Sequence, residues 1–131
     1  MARVLFVCVQ NAGRSQISQA LFDRAASDRH QARSAGTRPA AAVHPEVVAA
    51  MRELDIDLSA EVPKVLDDPL AAWADVIVTM GCGDECPYVA GKRYIDWELD
   101  DPAGRAPAQV RAIRDRIGEL TAELAEELDA A

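Results

Sequence analysis

Two runs of the chain, RVLFVCV at its start and DVIVTM from Asp75 to Met80, are apolar at consecutive positions. That is the pattern of a parallel strand buried on both faces. Between and beyond them the pattern changes. From Ser15 to about Ala26 the apolar residues Ile17, Ala20, Leu21 and Ala25 recur at helical spacing. HQARSAG reads as a short second strand ending at Gly36, and TRPAAAVHP as a loop. Pro45 suits the first turn of a helix running to about Leu54. Asp67, Asp68 and Pro69 open a short helix that continues through Trp73. After DVIVTM comes the turn-rich GCGDECP, then KRYIDW as a fourth strand and ELDDPAGRAP as a loop. A last helix begins near Pro107, with Val110, Ile113, Ile117, Leu120, Leu124 and Leu128 on one face.

Strands alternating with helices predict a single α/β domain over residues 1–131, with a four-stranded parallel sheet and right-handed crossovers. In such sheets ligands bind beyond the carboxyl ends of the strands. The loops CVQNAGRS, GCGDECP and ELDDPAGR each follow a predicted strand, so all three should meet at one edge. The last helix places Arg111, Arg114 and Arg116 near its start and Glu123, Glu126, Glu127 and Asp129 near its end. The helix dipole favours the reverse. The expected resolution is a solvated face with close ion pairs such as Arg111 with Asp115, and a frayed final turn.

Composition narrows the partners. The net charge of -8 argues against nucleic acid and anionic membrane, both of which need a basic footprint. A small anion would have to be attracted locally. No apolar run approaches the roughly 18 residues of a membrane span, and the start of the chain lacks a signal-peptide pattern. Three cysteines argue against a secreted disulfide framework and point to the cytoplasm, where thiols serve metal binding or catalysis or are buried.

The chemistry concentrates in Cys8-Val9-Gln10-Asn11-Ala12-Gly13-Arg14-Ser15. A strand-to-helix loop exposes backbone N–H groups that no helix carbonyl satisfies; turned inward they form a nest for a tetrahedral oxyanion. Gly13 permits tight curvature and Asn11 tolerates left-handed geometry. Arg14 offers a bidentate fork to two anion oxygens. Cys8 then lies beneath the anion, where the N–H groups, the helix dipole and Arg14 favour the thiolate. The Ser15 hydroxyl is placed to donate to that sulfur. A thiolate aimed at a bound oxyanion is a nucleophile for phosphoryl or arsenyl transfer. The competing explanation is a buried cysteine and a surface arginine. In GCGDECP, Cys82 and Cys86 stand four residues apart, with Gly81 and Gly83 expected to make the segment mobile, a pattern that suggests a redox relay. Two alternatives stay open: half of a zinc site completed by Cys8 or His44, and two thiols without a role.

CVQNAGRSQ, the SAGT after the second strand and the late DDPAG together resemble the low-molecular-weight protein tyrosine phosphatase superfamily, and within it the arsenate reductase branch. The resemblance runs from Val4 to about Ile117. Gln16 stands where phosphatases of the family usually have proline, and Ala103 and Gly104 stand where they carry aromatics. The resemblance implies a sheet of order 2-1-3-4 with helices on both faces. It implies that Cys8 attacks arsenate, that Cys82 attacks Cys8 and releases arsenite, and that Cys86 then takes over the disulfide. A thioredoxin-type protein would reduce the Cys82–Cys86 pair, with no cofactor and no metal. Asp101 matches the general acid, with Asp100 adjacent; a plain turn is the alternative reading of DDPAG. The other activities within reach are aryl-phosphate cleavage and transfer of arsenate to a low-molecular-weight thiol. Some reductases of the family bind potassium; the matching positions are Asn11, Gln19, Ser34 and Lys64. Here two readings of Lys64 stand side by side: its ammonium replaces the ion and steadies the loop through Asn11 or Ser34, or it is an ordinary surface lysine. Arg38 and His44 lie in a loop that could face the site, His44 without an assigned role, and His30 reads as surface.

Overall fold

The computed structural model describes residues 1–81 and 88–131. The chain runs β1 (Arg3–Cys8), α1 (Arg14–Ala26), β2 (Gln31–Gly36), α2 (Pro45–Arg52), α3 (Asp68–Trp73), β3 (Val76–Thr79), β4 (Arg93–Asp96) and α4 (Pro107–Asp129). The four strands form one parallel sheet in the order β2-β1-β3-β4. Phe6 of β1 lies opposite Ser34 of β2 and Val78 of β3.

Alternation along β1 divides the core. Val4, Phe6 and Cys8 point with Val76, Val78 and Met80 toward Phe22 and Ala26 of α1 and Leu124 and Leu128 of α4. Leu5, Val7 and Ile77 point the other way, toward Leu70 and Trp73 of α3. The helix α2 rides on the first layer, with Val47 and Met51 against Ile17, Leu21, Ile113 and Ile117. Helices therefore cover both faces, which is why β1 is apolar at successive positions. Each fully buried side chain of this size contributes about 1.5–3 kcal/mol. Asp67 caps α3 by accepting the Leu70 amide at 2.8 Å. Among the described residues no helix is long and apolar enough to cross a membrane.

Three expectations fail on tertiary contacts. Arg111 pairs with Glu53 at the end of α2, at 2.8 Å, and not with Asp115. Asp115 pairs with Arg114, which is buried and also reaches Glu53 and the Ala50 carbonyl. The two guanidiniums hold the Glu53 carboxyl down at about 2. The last turn of α4 is tied down, because Asp129 accepts hydrogen bonds from Arg29 at 3.0 Å and from His30 at 2.8 Å. His30 is buried, 8% exposed, and not a surface residue. Its Nδ1 accepts the Ala2 amide at 3.0 Å, so Nε2 carries the proton given to Asp129.

Candidate anion-binding site

The site lies beyond the carboxyl ends of β1, β3 and β4. β1 ends at Cys8, and the next five residues lead into α1, whose N-cap is Gly13. Every carbonyl of this loop is engaged. Cys8 O accepts the Thr37 amide at 3.2 Å, Val9 O that of Arg38 at 2.8 Å, Gln10 O that of Ala40 at 2.9 Å and Ala12 O that of His44 at 3.0 Å. Asn11 O accepts from Gln16 Nε2 at 3.2 Å, and Gly13 O from the Ile17 amide at 3.0 Å. In a trans peptide the following N–H points opposite to the carbonyl. Fixing these oxygens, four of them against residues 37–44 and that of Asn11 against Gln16, therefore turns the amides of Val9, Gln10, Asn11, Ala12 and Gly13 to the other side. None of those amides donates to an acceptor among the described residues. The row of free N–H groups, continued by the first turn of α1, is an anion nest.

Gly36 makes the anchoring possible. A Cβ there would lie 2.6 Å from Val9 O and 2.9 Å from the Asn11 nitrogen. Its own N–H donates to Lys64 O at 2.8 Å and its carbonyl accepts from Leu66 at 2.9 Å, so it joins the loop to residues 64–66.

Under the nest sits Cys8, 2% exposed, with Sγ 2.9 Å from Ser15 Oγ. The direction of that bond is set by the neighbouring one. Asn11 Nδ2 donates to Ser15 Oγ at 2.7 Å, so the serine proton is free to go to sulfur. Asn11 itself is held at φ 49 and is fully buried. Its Oδ1 accepts from the Lys64 backbone amide at 2.9 Å and from Gln16 Nε2 at 3.2 Å. A buried chain of donors thus runs from Lys64 N–H through Asn11 and Ser15 to the Cys8 sulfur.

Here the expectation for Lys64 is corrected. Its ammonium does not reach the loop; Nζ lies 3.4 Å from Val62 O, and the backbone N–H makes the support. Ser34 does not reach Asn11 either; its hydroxyl donates to Gln19 Oε1 at 2.7 Å, pinning α1 to β2. Gln16, conspicuous in the sequence only for not being proline, is the side chain that clamps Asn11. No helical spacing signals that contact, because Gln16 lies five residues from Asn11 and Asn11 precedes the helix.

Arg14 is the first residue of α1, with its side chain 10% exposed. Nη1 donates to Leu99 O at 3.3 Å, and Nη2 stands 3.8 Å from Asp101 Oδ2. The guanidinium is packed so closely on Gly81 that a Cβ there would fall 2.3 Å from Nη1; Gly81 also has φ +84. Asp101 is half-exposed, and its other oxygen accepts from the Ala103 amide at 3.0 Å. DDPAG is therefore a turn and a wall of the site at once. Pro102 closes on Gly13, where a Cβ would lie 2.9 Å from its Cγ. Close approach, more than curvature, is what demands glycine at 13. His44, also beside Gly13, has Nε2 3.0 Å from Gln10 Oε1. Two of the three loops thus meet at Arg14, together with the first residue of the third. Cys82 and Cys86 lie outside the described residues. Among the described residues no cluster of side chains is suited to a metal ion.

Comparison with known proteins gives the family and the fold. The profile of the family described as low molecular weight phosphotyrosine protein phosphatase matches residues 3–131. A protein of Halobacterium salinarum, grouped by name with the arsenate reductases, is 40% identical, the match covering 95% of this chain and 91% of that one. The solved thioredoxin-dependent arsenate reductase of Corynebacterium glutamicum superposes with a TM-score of 0.83 at 38% identity, over 99% of this chain; the match spans 62% of that chain's length. The arginine phosphatase of Geobacillus stearothermophilus superposes with a TM-score of 0.88 at 25% identity, over 99% of this chain and 94% of that one.

Proposed function

The chain belongs to the low molecular weight phosphotyrosine protein phosphatase family, and on that premise we propose that it reduces arsenate to arsenite. The observation that carries the reading is the Cys8 sulfur, buried under the nest and bonded to the Ser15 hydroxyl at 2.9 Å. Arsenate settles on the amides of residues 9–13 with Arg14 on its outer oxygens. The Cys8 thiolate attacks arsenic, an As–S bond forms, and an As–O bond breaks. Asp101, beside Arg14, supplies the proton for the departing oxygen. Ser15 and the nest hold Cys8 as thiolate before attack.

The Cys82 thiolate then attacks Cys8 Sγ. An S–S bond forms, the electron pair of the S–As bond passes to arsenic, and As(V) leaves as arsenite, As(III). Cys86 attacks Cys82, the disulfide moves to Cys82–Cys86, and Cys8 returns as thiolate. A thioredoxin-type dithiol restores the pair, so the electrons come from thiols and the setting is a reducing cytoplasm. The named relatives and the DDPAG wall without aromatics favour arsenate as substrate.

A second reading has support in the same geometry. Cys8, the nest and Asp101 suffice for phosphate-ester cleavage through a phospho-cysteine, as the likeness to an arginine phosphatase suggests. Only the reductase needs Cys82; transfer of arsenate to a small thiol would leave it dispensable. The test is arsenate-dependent NADPH oxidation with thioredoxin and its reductase, for wild type, Cys82→Ala and Cys86→Ala. Reduction by wild type and none by either variant is expected. Hydrolysis of p-nitrophenyl phosphate with no arsenate turnover in wild type would overturn the reductase in favour of a phosphatase.

A further inference from the structure

The anion loop owes all but one of its anchors to the backbone. The carbonyls of Cys8, Val9, Gln10, Ala12 and Gly13 accept main-chain amides, whereas that of Asn11 accepts from a side chain, Gln16 Nε2 at 3.2 Å. Resting on the reading of the loop as an oxyanion site, we propose that Gln16 is a positioning residue for the anion. Its amide fixes the Asn11–Ala12 peptide so that the Ala12 N–H faces the bound oxyanion.

That peptide is one rigid plane, so the direction of its oxygen sets that of the Ala12 N–H. Asn11 and Ala12 are fully buried and Gln16 is 3% exposed, so bulk water is not at hand to replace the donor. Asn11 stands at φ 49, and its carbonyl is not taken up by residues 37–44 as its neighbours' are. Gln16 is also the third residue of α1, and Gly13, the N-cap, has no side chain to cap the helix. In a capping box the third residue accepts the N-cap amide. Gln16 instead donates past the cap to residue 11, and the Gly13 N–H stays open to the anion. A carboxylate at 16 has no proton to give and would accept that amide.

The partners left behind decide which property suffers when the amide is lost. Gln16 Nε2 also reaches Asn11 Oδ1 at 3.2 Å, but that oxygen keeps the shorter bond from the Lys64 N–H, at 2.9 Å. The Asn11 side chain therefore stays in place and still donates to Ser15 Oγ, beside Cys8. The Asn11 backbone oxygen has no second donor among the described residues. Its peptide is the part set free, and the loss falls on anion binding and not on the nucleophile.

The experiment measures phosphate binding by calorimetry and the amide proton shifts of the loop by NMR at saturating phosphate, for wild type, Gln16→Met and Gln16→Glu. Steady-state kinetics follow whichever of arsenate reduction and phosphate-ester cleavage the wild type performs. Gln16→Met, similar in size but without a donor, should bind phosphate roughly tenfold more weakly. Its KM should rise in proportion, with kcat within about threefold of wild type. Phosphate should move the Ala12 amide proton in wild type; in Gln16→Met that shift should vanish while those of Val9 and Gln10 persist. Gln16→Glu should bind weaker still, because its carboxylate takes the Gly13 N–H and repels the anion. Phosphate affinity within about twofold of wild type in Gln16→Met overturns the proposal. So does an equal loss of shift across residues 9–13, the mark of a loop merely loosened. An Ala12 amide that phosphate leaves unmoved in wild type overturns it with no variant needed. Absence of any phosphate or arsenate binding by wild type would instead defeat the underlying reading of the loop, and the proposal with it.

Discussion

Asn11 shows how much of the site hangs on one buried amide. Replacing it by alanine strands the Lys64 N–H, leaves Gln16 Nε2 only the backbone carbonyl of residue 11, and frees the serine proton from its direction. Each buried group left without a partner costs about 1–3 kcal/mol. Asn11→Ala is predicted to lose roughly 2–4 kcal/mol of stability in urea unfolding and to bind phosphate at least about tenfold more weakly by calorimetry. The Lys64 variants separate side chain from backbone. Lys64→Ala should leave phosphate affinity within about twofold of wild type, because the N–H remains; Lys64→Pro removes it and should behave like Asn11→Ala. The sequence pointed to Lys64 for its ammonium, which is the right position and the wrong atom. A backbone donor has no signature in residue type, so no reading of side chains could have found it. The meeting of Cys8 with Ser15 was legible, because the strand before them says where they sit.

At the scale of elements, the anion loop is shaped from outside, by the segment that leaves β2. Gly36 lets that segment pass against Val9 and Asn11, while Gly13 admits Pro102 on the other side. The two glycines should therefore differ in their kinetic losses. Gly36→Ala pushes the loop off its anchors and is expected to raise the KM for arsenate more than about tenfold. Gly13→Ala moves Pro102 and with it Asp101, so kcat should fall by about an order of magnitude while KM changes less. Steady-state kinetics on both variants checks the split. The order of strands and the run of helices were legible from hydrophobic periodicity and the resemblance; element ends differed by a residue or two because hydrogen bonding, not polarity, sets them. The contacts of α4 were not legible. Spacing within one helix suggested Arg111 with Asp115, but Glu53, just past the end of α2, is the partner, and only the packed structure brings it near. His30 sits in the polar string DRHQ and yet is buried, because a backbone amide and Asp129 satisfy both ring nitrogens.

For the molecule as a whole, an acidic chain with net charge -8 carries its cationic site locally and ties its helices with paired charges. Glu53, lowered from 4.5 to about 2 by Arg111 and Arg114, gives that design a pH signature. A depressed carboxylate contributes stability above its ordinary value and loses it as pH falls toward the folded one. Wild type should therefore exceed Glu53→Gln in Tm above about pH 4.5, and the gap should close between pH 4.5 and about 2; thermal melts across that range check it. The anchored carbonyls of the loop have a further consequence, in the isotope exchange of its amides. Thr37, Arg38, Ala40 and His44 bury their N–H groups in the loop's oxygens and should keep their hydrogen in deuterated water. The amides of residues 9–13, facing the other way, should trade hydrogen for deuterium in the free protein and fall silent once an oxyanion is seated. Five neighbouring labels would then report occupancy directly, with no turnover, and could rank arsenate, phosphate and sulfate on one scale.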